Sequence, residues 1–306
     1  MRIVSLLPSL TELVCALGRR DELVGVTHEC DFPPGVEKQP ALTRSRIPVA
    51  ATGAEIDALV AEQQGSLYDL DIELLEELKP DLILTQEQCD VCAVNEATVR
   101  RAAARLPGRP HVESINPLTL GGVFEVFQRV GELLDSKEAA RAIIDGFQIT
   151  TEEIARRIGR EPSQKFPPRV LLLEWLDPPF CSGHWNPELV ERAGGMEVIG
   201  KTGERSRRIS WPDVAAGAPS VVILSLCGFT LDRAEHELGS LRHVPEWQLL
   251  IGKAEASIVL VDGSAFFSRP GPRLETSLRI ASAAISPAQC HDLAPPEGEG
   301  WRRLSL

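Results

Sequence analysis

At 306 residues the chain exceeds one comfortable small domain, and a norm of about 100 to 200 residues per domain points to two. Its 43% hydrophobic and 25% charged residues, with a mean hydropathy of −0.05, exclude a disordered chain, and no apolar run approaches the roughly 20 residues of a membrane span. The 32 Lys and Arg against 44 Asp and Glu leave a net charge of −12, the opposite of the basic footprint that phosphate backbones select, so no nucleic-acid partner is expected.

Ile3 to Leu7 is a short apolar run suited to a buried parallel strand, and Ser9-Leu10-Thr11-Glu12 then predicts a capping box for a helix ending at Gly18. Pro8 and Glu12 interrupt the apolar start and no small-residue cleavage site follows, so the expected location is cytoplasmic. Leu23 to Thr27 reads as a second strand. After a polar stretch, Thr52 to Glu55 starts a helix that turns Ile56, Leu59 and Val60 inward. A helix after Asp71 stops at Pro80, before a strand over 81–85. Asn95 caps a further helix, which precedes a strand near His111 to Ile115.

From Leu118 to Arg160 the spacing is helical throughout, with Ser136 as a cap, and the Pro-rich Pro162 to Pro168 marks a boundary. Beyond it the strand–helix alternation resumes. Val170 to Trp175 is a strand, Asn186-Pro187 an N-cap with Pro at the first helical position, and Gly194-Gly195 a helix end. Ser210-Trp211-Pro212-Asp213 starts another helix, Val221 to Ser225 and Ile258 to Asp262 are strands, and Pro272 opens a last helix through Ile285. The predicted layout is an N-terminal α/β lobe over 1–117, a helical connector over 118–167, a second α/β lobe over 168–286 and a Pro/Glu-rich tail over 287–306. Leu78 to Thr85 resembles Ala218 to Ser225 with Pro80 and Pro219 offset by 139, whereas the helix-ending Gly18 and Gly194 are offset by 176, so the first lobe is expected to hold 176 − 139, or about 37, extra residues between these landmarks, where 44–70 lie.

Alternating strands and helices imply parallel sheets, whose ligands sit beyond the carboxyl ends of the strands. In the first lobe those loops carry Pro8, then His28 to Pro34, then Gln86 to Cys92. In the second they carry Trp175 to Phe180, Ser182 to Trp185, Cys227 to Phe229 and Ala265 to Arg273. All five tryptophans lie in the second half. An aromatic face opposed by polar and sulfur atoms suits a large flat ligand with polar edges.

The ordered motifs Pro8-Ser9-Leu10-Thr11-Glu12, Cys30-Asp31-Phe32-Pro33-Pro34, Leu78-Lys79-Pro80-Asp81-Leu82-Ile83, Pro178-Pro179-Phe180-Cys181-Ser182-Gly183, Ser210-Trp211-Pro212-Asp213 and Arg269-Pro270-Gly271-Pro272-Arg273 resemble the cobalamin-binding proteins that feed ABC importers, within the wider iron-siderophore, haem and cobalamin-binding superfamily. The resemblance implies two Rossmann-like lobes joined by one long helix. It also implies a corrin held in the interlobe cleft, lined by the Pro8 loop, Asp31-Phe32, Pro179-Phe180 and the segment Phe267 to Arg273. Cobalamin or a related corrinoid would be the bound ligand, an ABC permease the acceptor, and the protein a monomer without a catalytic cofactor. Importer proteins of this kind carry an export signal, so a periplasmic or lipid-anchored protein is the alternative if the native N-terminus is longer. The insertion and the Gln88 to Cys92 loop resemble a subgroup without such signals.

From the residues themselves, Trp175, Phe180, Trp185 and Phe267 are candidates to stack on or edge the ring. Arg269 and Arg273 are candidates for its polar periphery. His28 is either a solvated loop histidine or a cobalt or iron ligand. Cys89-x-x-Cys92 sits between a strand and a helix, where it either lines the cleft, packs as an ordinary loop, or supplies redox or metal chemistry. The leading expectation is a corrinoid binder and not an enzyme, since no Gly-x-Gly-x-x-Gly, Walker loop or nucleophile elbow is present. The alternatives are a ferric-siderophore or haem-binding importer component, and a thiol-dependent enzyme working through Cys89 and Cys92.

Overall fold

The computed structural model describes residues 1–62, 67–87, 94–159, 166–252 and 257–304. The chain divides into two compact units, one of Met1–Pro117 with Phe124–Ile143 and the other of Leu118–Val123 with Ile144–Leu306.

In the first unit β1 (Ile3–Ser5) leads into α1 (Pro8–Ala16). Pro8 opens this helix because it lacks the N–H that would be orphaned there, so the expected capping box does not form. Ser9 lies inside the helix instead, its hydroxyl buried with no hydrogen-bond partner among the described residues. After β2 (Leu23–Gly25), β3 (Thr43–Ser45) and β4 (Tyr68–Leu70) pair antiparallel, with Thr43 opposite Leu70 and Ser45 opposite Tyr68. These strands bracket α2 (Gly53–Glu62), where Thr52 and Glu55 bond each other's main-chain N–H at 3.3 and 2.8 Å; Ile56 is buried, Leu59 and Val60 half-buried. The hairpin left no mark in the sequence reading because three-residue strands bearing Arg44, Ser45 and Asp69 show no apolar alternation. The Asp71 carboxylate caps α3 (Ile72–Leu78), β5 (Leu82–Gln86) follows, and Asn95 caps α4 (Glu96–Ala103) before β6 (His111–Ile115). The sheet runs β2-β1-β5-β6, all parallel.

Two helices follow: α5 (Leu120–Leu133) and the 22-residue α6 (Lys137–Ile158), about 33 Å long, the long helix that the motifs implied. Ser136 carries the first ladder carbonyl of α6, bonded by the Ala140 N–H, while its hydroxyl donates to the Leu134 carbonyl and accepts from Arg19 Nε.

The second unit is built on β7 (Arg169–Leu176). One edge of β7 pairs in parallel with β11 (Val221–Ser225), which pairs in parallel with β12 (Ser257–Val261). The other edge is shared: β9 (Met196–Glu197) pairs in parallel with its first residues, and β8 (Pro179–Cys181) pairs antiparallel with its second half. β8 in turn pairs with β10 (Arg207–Arg208). The parallel set β9-β7-β11-β12 repeats β2-β1-β5-β6, and Pro80 and Pro219 precede matching strands, β5 and β11. Helices α7 (Asn186–Arg192), α8 (Trp211–Gly217), α9 (Leu231–Glu237), α10 (Pro245–Ile251) and α11 (Leu274–Ile285) complete the alternation. Ser210 and Asp213 form a capping box at the expected start of α8. Asn186 does not cap α7: it is the first helical residue, and its Nδ2 donates to Glu174 Oε1 at 3.0 Å. α11 begins at Leu274, two residues after Pro272.

Residues 287–306, read from composition as a tail, include α12 (Pro287–Cys290) and β13 (Trp301–Arg303), which pairs antiparallel with β12. Trp301 is fully buried, its indole N–H donates to the Pro295 carbonyl at 2.7 Å, and the His291 ring meets it edge-on at 5.9 Å. Trp211 and Trp247, on α8 and α10, meet edge to face at 6.0 Å. Three of the five tryptophans are therefore packing groups. Replacing Trp301 by Ala removes the largest fully buried side chain and the anchor of β13. A loss of about 3 to 5 kcal/mol is expected, read as a lower midpoint in urea unfolding.

Candidate functional site

The carboxyl ends of the first unit's strands present a compact polar group. Pro8 is buried at the start of α1, and one turn on, Thr11 Oγ1 donates to Ser5 Oγ at 2.8 Å and lies 3.1 Å from Cys30 Sγ. Beyond β2 the chain exposes His28, Asp31 and Phe32, the last at 39%. His28 Nδ1 is 2.7 Å from Thr43 Oγ1, which also accepts the His28 main-chain N–H at 3.1 Å. Tyr68 packs its ring 5.5 Å from the imidazole and donates its hydroxyl to Glu29 Oε1 at 2.9 Å. Thr43 and Tyr68 escaped the sequence reading, since isolated residues in a polar stretch carry no periodic signal, and Glu29 lay in the loop after the second strand without being singled out. Cys89 and Cys92 lie outside the described residues.

In the second unit an aromatic row marks the end of β7. Trp175 is half-buried and stands directly opposite Phe180 in the antiparallel β7–β8 pair, which places the two side chains on one face of the sheet. Buried Phe229 meets Trp175 edge to face at 5.0 Å, and the Arg233 guanidinium lies 3.8 Å above the Phe229 ring, a cation–π contact that fixes the row from behind. Pro179 is buried beside it. Two residues expected on a ligand surface belong to the interior: Trp185 is 4% exposed and Phe267 fully buried. Trp185 Nε1 donates to the Phe267 carbonyl at 2.9 Å, and the Phe267 N–H donates to Ser277 Oγ at 3.0 Å. An indole N–H needs a buried acceptor, and this pairing supplies one, which is why both rings turn inward. Arg269 and Arg273 are half-buried, with the Arg273 guanidinium 5.6 Å from the Phe266 ring.

Behind Trp175 sits Glu174, an acidic residue in an otherwise apolar strand, and that misfit was the available sign of it in the sequence. Its carboxylate accepts from the Gly183 N–H at 3.3 Å, from Asn186 Nδ2 at 3.0 Å and from the Ser206 hydroxyl. It thereby ties β7 to the 182–186 turn and to the 200–206 segment folded over it. A Cβ on Gly183 would stand 2.3 Å from the Ser206 nitrogen, so only glycine permits this approach. Glu197 fills the gap between β9 and β8 on the β7 edge, accepting the main-chain N–H groups of Leu172, Ile199 and Gly200 at 3.0, 3.2 and 3.1 Å. Burial pushes both carboxyls above the ordinary value, outweighing the hydrogen bonds that oppose it. Burial, with the Arg205 charge second, pulls the His184 imidazole down. Burial also pushes the Cys15, Cys181 and Cys290 thiols up, which marks them as packing groups.

A family described as periplasmic binding protein matches residues 3–250. The vitamin B12-binding protein of Vibrio cholerae is 22% identical over 273 residues, which cover 89% of this chain and 84% of that protein. Among solved structures, a periplasmic heme binding protein from Pseudomonas aeruginosa is similar with a TM-score of 0.73 at 21% identity, covering 100% of this chain and 98% of that one. The periplasmic vitamin B12 binding protein BtuF of Vibrio cholerae is similar with a TM-score of 0.65 at 18% identity, covering 94% and 97%. These likenesses establish the fold: α/β lobes with parallel sheets and a helical connector, as the sequence motifs implied.

The carboxyl of Glu174 is held above its ordinary value of 4.5, so its contribution to stability is complete below that pH and is lost as pH rises through the folded value. Glu174→Gln, which cannot ionise, is expected to remove the part of the stability loss that sets in as pH rises above the ordinary carboxyl value of 4.5. Urea midpoints measured from below pH 4.5 upward, compared with the parent protein, check it.

Proposed function

The chain belongs to the periplasmic binding protein family, and from that premise we propose that it binds cobalamin or a related corrinoid as an unreacted ligand. The observation that carries this reading is the relatedness to vitamin B12-binding proteins over 89% of the chain. Strand-end chemistry supports it. A corrin is a broad ring with apolar faces and a rim of neutral amides, so it asks for flat surfaces and a few hydrogen-bonding groups more than for countercharge. Trp175 and Phe180 offer such a surface on one sheet face, steadied by Phe229 and Arg233. Arg269 and Arg273, half-buried in the same unit, are the further contacts we assign. Hand-off to an ABC permease is the transport step this reading places downstream.

Haem is the second reading, favoured by the likeness to a heme binding protein over the whole chain. It differs in its chemistry, because haem brings anionic propionates and an iron that requires an axial ligand. Titration of the purified protein with cyanocobalamin and, in parallel, with ferric haem separates the two. Retention of one equivalent of cyanocobalamin at micromolar concentration, with a perturbed visible spectrum, is the expected result. Retention of haem alone would replace the corrinoid reading with the second. Trp175→Ala is expected to weaken cyanocobalamin binding about tenfold, or about 1.4 kcal/mol, by removing one stacking face.

A further inference from the structure

His28 is held in a way that a solvated loop histidine does not require. Its imidazole is pinned at Nδ1 by Thr43 Oγ1 at 2.7 Å and flanked by the Tyr68 ring at 5.5 Å, with the side chain still 28% exposed. Thr43 and Tyr68 stand on the paired strands β3 and β4, so the ring is gripped from both strands. Thr43 Oγ1 already acts as acceptor for the His28 main-chain N–H at 3.1 Å, and its second lone pair suits the Nδ1 proton. That tautomer leaves the lone pair on Nε2. Nε2 lies 4.0 Å from Glu29 Oε1, beyond hydrogen-bond reach, and that oxygen is already engaged by the Tyr68 hydroxyl at 2.9 Å.

A neutral imidazole whose other nitrogen is anchored by a hydrogen bond is the arrangement of a metal ligand with its supporting shell. A free ion would need more: among the described residues no three His, Cys, Asp or Glu side chains converge on a metal position. A metal already enclosed by a macrocycle's own nitrogens needs only one further donor. We propose that His28 Nε2 takes an open axial position of a cobalt corrinoid, so that the protein distinguishes corrinoids with an exchangeable axial ligand from those with both axial positions occupied. The Glu29 carboxylate beside Nε2 supplies countercharge for the net positive cobalt(III) corrin core. Ligation displaces a cobalt-bound water, with no change in oxidation state and no proton lost from the imidazole. The inference rests on the corrinoid reading and refines it.

The test uses diaquacobinamide, which has open axial sites, beside cyanocobalamin, which has none. The parent protein is expected to move the visible bands of diaquacobinamide to those of its imidazole adduct. After reduction to cobalt(II), electron paramagnetic resonance is expected to show each resolved cobalt line split into a triplet by one axial nitrogen, and into a doublet when histidine carries the heavy nitrogen isotope. His28→Ala should abolish the splitting, added imidazole should restore it, and Thr43→Val should weaken the ligation by about tenfold or more. Cobinamide bound with the spectrum of the His28→Ala variant, or a triplet indifferent to histidine labelling, overturns the role of His28 while leaving the corrinoid reading in place. Failure to bind either corrinoid overturns both.

Discussion

Strands β7, β11 and β12 hold a continuous apolar block, Val170 to Leu173, Val221 to Leu224 and Ile258 to Val261, from which water is almost wholly excluded. A parallel strand covered on both faces has no solvated side on which to carry a working group, so such groups collect where the strands end. Trp175 and Glu174 mark the point where β7 leaves this block. The same constraint explains the shared edge of β7. Where β9 stops and β8 has yet to begin, the Leu172 N–H would be left bare, and the Glu197 carboxylate takes the place of a strand carbonyl.

Polar groups at these ends serve two purposes that composition cannot separate. Glu174 is structural in its contacts, since it collects donors from Gly183, Asn186 and Ser206 and fixes the turn that follows β8. That turn in turn delivers Trp185 to the interior, where its indole bonds the Phe267 carbonyl. Trp175 and Phe180 lie one layer outward on a support so organised. A rigid base of this kind lowers the entropy cost of presenting aromatic rings to a ligand. In the first unit the base is the β3–β4 pair, which holds His28 through Thr43 and Tyr68.

Helix starts were legible wherever the cap is a local event: Thr52, Asp71, Asn95 and Ser210 act within three residues of themselves. The capping box at Ser9 failed against a competing local rule, Pro8 at the first helical position. Asn186 failed against a distant one, because a buried carboxylate on β7 claims its amide. Strand-end aromatics were legible as a set and not one by one. Trp175 and Trp185 are alike in sequence, and the availability of the Phe267 carbonyl turns one of them inward.

Periodicity and order along the chain determined the α/β alternation, the internal repeat and the family, because each depends on apolar spacing or on short motifs that survive as text. Tertiary structure alone decided that the composition-defined tail closes the second sheet through β13, that Glu197 completes the edge of β7, and that the paired strands β3 and β4 flank His28 with Thr43 and Tyr68. Each of these joins groups far apart in the chain through hydrogen bonds or buried contact, and such pairings leave no period in the sequence.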